Sequence, residues 1–180
     1  MDYPWYENVN GADIQQGDIL TSFPVFLPDI TAEIIPSILE GKEPEAPVKT
    51  KLIDAIIVTQ SCDLTNQKVD SVIVCPIWKI EDIKQTIAGN EKDKKKRLED
   101  IRQGKEHSFH MLASSITPST DLSIVEFKRL YTTPKDVIVS FAAASGDRLR
   151  LLPPYREHLS QAFARFFMRV GLPIDIAPFK

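Results

Sequence analysis

The segment VTQSCDLTNQ, residues 58 to 67, places a polar, cysteine-bearing turn directly behind the apolar run Ile56-Ile57-Val58. Its thiol has three chemical options: nucleophile, metal ligand or buried packing group. A nucleophilic Cys62 needs a base within hydrogen-bond reach and a third group to orient that base. The histidines are His107, His110 and His158, all distant in sequence. Free cysteine most often behaves as a small buried hydrophobe. The expectation is therefore that Cys62 packs the end of a strand, and that its polar neighbours Gln60, Ser61 and Asp63 are the better site candidates. A structural zinc site wants four ligands at short paired spacings, whereas Cys62 and Cys75 stand alone. His107 and His110 fall in a stretch that reads as a strand, where positions three apart face opposite sides. No metal and no cofactor is expected.

Phosphate chemistry needs clustered cations. Arg148 and Arg150 precede a helical pattern whose polar side carries His158, Gln161, Arg165 and Arg169. Together they could form a local basic patch, the alternative being surface ion pairs with Glu157 and Asp147. The densest basic run, Lys92 to Arg97, is diluted by Glu91, Asp93, Glu99 and Asp100 and reads as a solvated helix face. No phosphate loop, dinucleotide glycine pattern, nucleophile elbow or zinc-protease motif is present.

The chain that must position these groups has 180 residues, enough for one sizeable core and short for two domains, so 1–180 is read as a single domain. With 43% hydrophobic and 26% charged residues and a net charge of -3, it is neither a disordered tail nor a general polyanion binder. The opening MDYPWYENVN has no basic segment followed by an apolar one, and no apolar run approaches a membrane span. The expectation is a cytoplasmic chain without membrane contact and with reduced thiols.

Val48 to Gln60 turns from alternating to continuously apolar, as a strand does on entering a core, and Ser71 to Trp78 repeats the pattern. The two pair as a hairpin with Cys62 in its tip. A short strand is expected around Asp18 to Thr21, with Pro24 and Pro28 confining the residues after it to an edge or loop. Residues 79–106 read as a charged helical insertion, with Gly89 and Gly104 as stops. Gly146 and Asp147 turn into a strand alternating Arg148 and Arg150 with Leu149 and Leu151. Residues 152–171 form a C-terminal amphipathic helix, opened by Pro153 and Pro154 and closed by Gly171, with Tyr155, Leu159, Ala162, Phe163 and Phe166 on its apolar stripe. The fold class is α+β: a small, strongly bent β-sheet or SH3-like barrel covered by the last helix.

The succession of Gly17-Asp18-Ile19-Leu20, then Ile56 to Asn66, then Val72-Ile73-Val74-Cys75-Pro76 resembles the MazF/PemK-like toxin family. The resemblance implies an SH3-like barrel with a terminal helix, frequent homodimers and metal-independent cleavage of single-stranded RNA. It puts Thr59 or Ser61 at the family's hydroxyl position. Lys49 and Lys51 are the nearest basic residues to where the family carries an arginine-proline pair. The implied site joins Thr59, Gln60, Ser61, Cys62 and Asp63 to Lys49, Lys51 and Arg148. The first functional expectation is a bacterial toxin-like protein, of prophage or defence type, that binds single-stranded nucleic acid and could be an endoribonuclease. The alternatives are a non-catalytic module holding a protein partner in a defence or toxin-antitoxin assembly, and a cysteine-dependent hydrolase.

Overall fold

The computed structural model describes residues 3–43, 47–66, 68–116 and 119–168. Along the chain run β1 (Tyr6–Val9), β2 (Ile19–Pro28), α1 (Ile35–Leu39), β3 (Val48–Ile57), α2 (Ser61–Thr65), β4 (Ser71–Lys79), α3 (Ile80–Thr86) and α4 (Glu91–Arg102). They are succeeded by β5 (Phe109–Leu112), β6 (Ser115–Ile116), β7 (Ser119–Thr120), β8 (Ser123–Glu126), β9 (Tyr131–Pro134), α5 (Lys135–Ala144), β10 (Arg148–Leu151) and α6 (Tyr155–Phe167). The architecture is α+β and its sheets are antiparallel. They do not close into a barrel: the main sheet has the order β2-β3-β4-β8-β5, with β9 on β4, beside a β1-β10 ribbon and a small β6-β7 pair.

β4 organises the main sheet by serving several ladders in turn. Ser71 to Val74 pair with β9, Val74 to Pro76 with β3, and Ile77 to Lys79 with β8. Proline has no N–H to give a ladder, and the exchange of partner falls at Pro76. Side chains alternate across β3, so Ala55 and Ile57 pack with Ile138 and Ala142 of α5, while Ile56 and Val58 pack with Leu159 and its neighbours on α6. Helices cover both faces, which is why β3 is continuously apolar at its end. Of these two helices only α6 is expected from the sequence pattern; α5 is not.

The insertion at 79–106 folds as α3 and α4, and Asn90 caps α4 by accepting from the N–H groups of Lys92 (2.9 Å) and Asp93 (3.1 Å) while Asp93 accepts from that of Asn90. The C-terminal helix begins after Pro153 and Pro154, as expected, with Trp5 stacked on Tyr155 at a ring separation of 3.7 Å. Arg169, Val170, Gly171 and Pro173 lie outside the described residues.

The β1-β10 ribbon joins the main sheet around Asp18, a carboxylate with no solvent exposure. Leu151 donates its N–H to Gly17 O at 3.1 Å, and Asp18 bridges Arg150 across the join. Gly17 has a φ of +89°, and a Cβ there would stand 2.9 Å from Leu151 Cβ, so both the turn and the close approach require glycine. Arg148 Nε donates to Asp18 Oδ2 (2.9 Å), Arg150 Nε to Oδ1 and Arg150 Nη2 to Oδ2 (3.0 Å). The remaining guanidinium N–H groups reach Gly11 O, Asp13 O and the Asp13 carboxylate.

β10 is therefore not the half-exposed strand that its alternation suggests. All four of its residues are buried, and Arg148 and Arg150 do not reach solvent as a phosphate patch. The loop from Gly11 to Asp18 covers their face and supplies every partner. Nor do they pair with Asp147 or Glu157: Asp147 accepts from Asn8 and Asn10, and Glu157 pairs with Arg156. Burial alone would lower the Arg150 pKa, yet hydrogen bonds and charge from Asp18, then from Asp13, hold it above the ordinary value.

Removing one partner of a buried charge network leaves the others uncompensated, at a cost of about 3–5 kcal/mol. Asp18→Ala is therefore expected to lower the unfolding free energy by that amount in urea titrations, while Asp147→Ala, at an exposed position, changes it by less than about 1 kcal/mol. Equal, small losses for the two variants would refute the anchoring role of Asp18.

Candidate functional site

The polar turn after β3 is a single helical turn, α2, not an open loop. Ser61 Oγ accepts the Gln16 N–H (3.1 Å), and Gln16 Nε2 donates to Val58 O (2.8 Å). Thr59 Oγ1 accepts the Ile73 N–H at 2.7 Å. Both hydroxyls thus fasten the turn to backbone N–H groups of neighbouring segments.

Cys62 is exposed, contrary to the expectation that it packs the strand end. The buried position on α2 belongs to Leu64, and two residues along a helix point to nearly opposite sides. The Cys62 thiol lies 3.6 Å from Gln60 Oε1 and 3.7 Å from Asp63 Oδ1, both acceptors. The buried cysteine is Cys75, whose thiol is pushed up to about 12 by burial and then by the charge of Glu126.

Between α2 and α6 lies an open hollow of about 390 Å³, with Gln16, Gln60, Ser61 and Cys62 on one side and Arg156, Glu157, Ser160 and Gln161 on the other. Arg156 is held by Gln15 Oε1 (3.4 Å) and Glu157 Oε1 (3.2 Å). No histidine is among the described residues lining this hollow.

The histidines meet on the other side of Gln161. A second hollow, of about 340 Å³, is lined by His107, His110 and His158 together with Arg102, Arg165, Trp5 and Phe109, and Gln161 borders both hollows. Among the described residues lining it there is no aspartate or glutamate. His107 and His110 do not face opposite sides, because β5 starts only at Phe109 and His107 sits in the turn ahead of it. Strand alternation does not govern that pair. Among the described residues no three of histidine, cysteine, aspartate and glutamate come together as a metal-ligand set.

Within this hollow the imidazoles differ. His107 and His158 are exposed, whereas His110 is packed near Phe127 and its Nε2 is shielded from solvent without a hydrogen-bond partner. Burial, and then the charge of His158, push the His110 pKa down to about 4. It stays neutral where an ordinary histidine begins to charge.

The cations expected to join Cys62 are scattered. Lys49 pairs with Asp29 at 2.7 Å, and Lys51 lies 5.6 Å over the Trp78 ring. Lys51 is on β3 roughly 20 Å along the strand from Ile57, so the fold does not bring Lys49 or Lys51 to α2. Arg148 and Arg150 are committed to Asp18. Of the expected nucleic-acid set, Gln60 lines the first hollow and Arg165 the second; Arg169 lies outside the described residues. Trp5, Arg102, His107 and Arg156 were not foreseen as site residues. They come from segments whose mutual approach leaves no mark on local pattern.

No family model matches the chain, and no curated protein matches it. The geometry is therefore what bears on function.

The depressed His110 gives the pH dependence a sign. The unfolded chain takes up a proton near pH 6.5 and the folded chain only near 4, so this contribution is complete above about 6.5 and is lost as pH falls between the two values. Between pH 7 and 5, urea unfolding of the wild type should lose about 2 kcal/mol more than His110→Phe does. Parallel pH profiles for the two proteins would remove His110 as the source.

Proposed function

We propose that this chain binds single-stranded RNA in the trough formed by the two hollows along α6. One observation carries the reading: in a chain of net charge -3, Arg165 and the exposed imidazoles of His107 and His158 converge with the rings of Trp5 and Phe109 on a hollow whose described lining contains no acid. Single-stranded nucleic acids ask for this combination, cations for phosphates and aromatic faces for bases. Arg165 is exposed and has no ion-pair partner among the described residues, so it meets a phosphate without first giving up a carboxylate. The resemblance to the MazF/PemK-like family points to the same class of ligand, although it places the site at α2 with Lys49, Lys51 and Arg148. Thr59 and Ser61 act as acceptors for backbone N–H groups, and the proposed activity is binding through α6.

The test is anisotropy of a labelled mixed-sequence single-stranded RNA over a range of salt. Affinity should fall linearly in log-log form with salt, and Arg165→Ala should weaken it roughly tenfold. No binding at micromolar protein and low salt, or an Arg165→Ala variant as tight as wild type, would overturn the proposal. Cleavage of the same RNA that disappears in His107→Ala and His158→Ala would extend it to a ribonuclease.

A second reading, a module that holds a protein partner, is favoured by a different surface. Pro24, Phe26 and Pro28 stand directly across from Leu52, Thr50 and Val48 on the outer face of the β2-β3 hairpin. Phe26, Val48 and Leu52 are 55%, 58% and 64% exposed. Contiguous exposed apolar surface of this kind marks association sites, and a second copy of the chain is the simplest occupant. Sedimentation should show concentration-dependent self-association that Leu52→Glu abolishes with RNA affinity unchanged; concentration-independent sedimentation of the wild type would dismiss the homodimer.

A further inference from the structure

α4 carries a cluster of cations that the trough along α6 does not use. Lys92, Lys95 and Lys96 recur at spacings that share one helix face. With Arg102 they wall a separate hollow of about 520 Å³ floored by Leu98, Met111 and Leu122. The acids of α4 are engaged elsewhere: Glu91 with Lys94 and Lys84, Asp93 with the Asn90 cap, and Asp100 with Lys105. Glu99, which also borders this hollow, is tied to Arg102 (2.6 Å) and Gln103 (2.5 Å), and those hydrogen bonds hold its carboxyl down to about 2. Among the described residues Lys92, Lys95 and Lys96 have no ion-pair partner. Three lysines on one face thus stand beside an apolar floor, with the neighbouring acids already engaged.

The position of this hollow matters as much as its charge. Arg102 and Met111 line both it and the histidine hollow, so the two adjoin across a shared wall. We infer that the lysine face of α4 extends the RNA track beyond the trough, with phosphates on Lys92, Lys95 and Lys96 and bases against the floor of Leu98, Met111 and Leu122. This rests on the RNA reading above. Charge complementarity and continuity with the histidine hollow favour an RNA strand over a peptide there. α4, with 12 residues, adds about 18 Å of path, so the extension is engaged only by strands longer than the trough itself holds.

The experiment compares two single-stranded RNAs, about 4 and about 12 nucleotides long, binding to wild type, to the triple variant Lys92→Gln, Lys95→Gln, Lys96→Gln and to Arg165→Ala. Thermal melts verify that each variant is folded. The triple variant is expected to bind the longer RNA at least tenfold more weakly and to reduce the log-log salt slope by about 2, three phosphate contacts at about 0.7 each. The shorter RNA should bind it as it binds wild type, whereas Arg165→Ala weakens both. If the triple variant keeps wild-type affinity and salt slope for the longer RNA while Arg165→Ala does not, the track stops at Arg102 and the inference fails with the trough reading intact. If the triple variant weakens both RNAs equally, the lysines act as a diffuse charge and the inference fails as well. If wild type binds neither RNA, both proposals fall.

Discussion

A fully buried carboxylate between two buried guanidiniums is the constraint on which the rest of the molecule is hung. Asp18 sits where β2 begins, and Arg148 and Arg150 sit on β10, some 130 residues later. Their union fastens the β1-β10 ribbon to the main sheet and draws the Gly11 to Asp18 loop over the ribbon's polar side. A buried ion network of this type contributes little net stability compared with apolar packing, but loss of one partner leaves the others buried and uncompensated. α6 starts four residues after β10 ends, so the direction of α6 is set from this point. Both hollows have α6 as one wall.

The central strands were legible because their physics is local. β3 and β4 have helices on both faces, and uninterrupted β-branched runs are what such burial asks of a sequence. α4 announced itself through its charge and the stops at Gly89 and Gly104, and α6 through its prolines and apolar stripe. α5 did not, because Val137 to Ala144 is apolar nearly throughout and has no polar face to reveal a period. Arg148 and Arg150 misled for a related reason: alternation with leucine normally means an outward side, and the acid that draws them inward is remote in sequence. Cys62 misled the other way, since its apolar preference is outweighed by Leu64 claiming the buried side of one short turn.

The candidate site was legible in its parts and not in its assembly. Gln60, His158, Gln161 and Arg165 could be picked out by type, and each borders at least one of the two hollows. What could not be read was the approach of the turn carrying His107 to α6, or the placement of the Trp5 ring against Tyr155. Reading His107 as part of the strand separated it from His110, although the strand begins two residues later. That difference of two residues moved a histidine from one side of a sheet to the rim of a cavity.

Pro76 divides β4 into a stretch bonded to β3 and β9 and a stretch bonded only to β8. Everything from α3 through β8 hangs from those last residues, as a limb grafted onto a trunk. The limb is not separate from the core: Leu112 of β5 and Val125 of β8 are buried with Phe127 beneath α6, while α3 and α4 stand outside that cluster. α3 and α4, which contribute to neither core cluster, are the part of the limb whose length the trunk constrains least. His107, Arg102 and the lysines of α4 are on the limb, while His158 and Arg165 are on the trunk. The cleft thus takes one wall from an excursion outside the core clusters and the other from a helix locked into one of them.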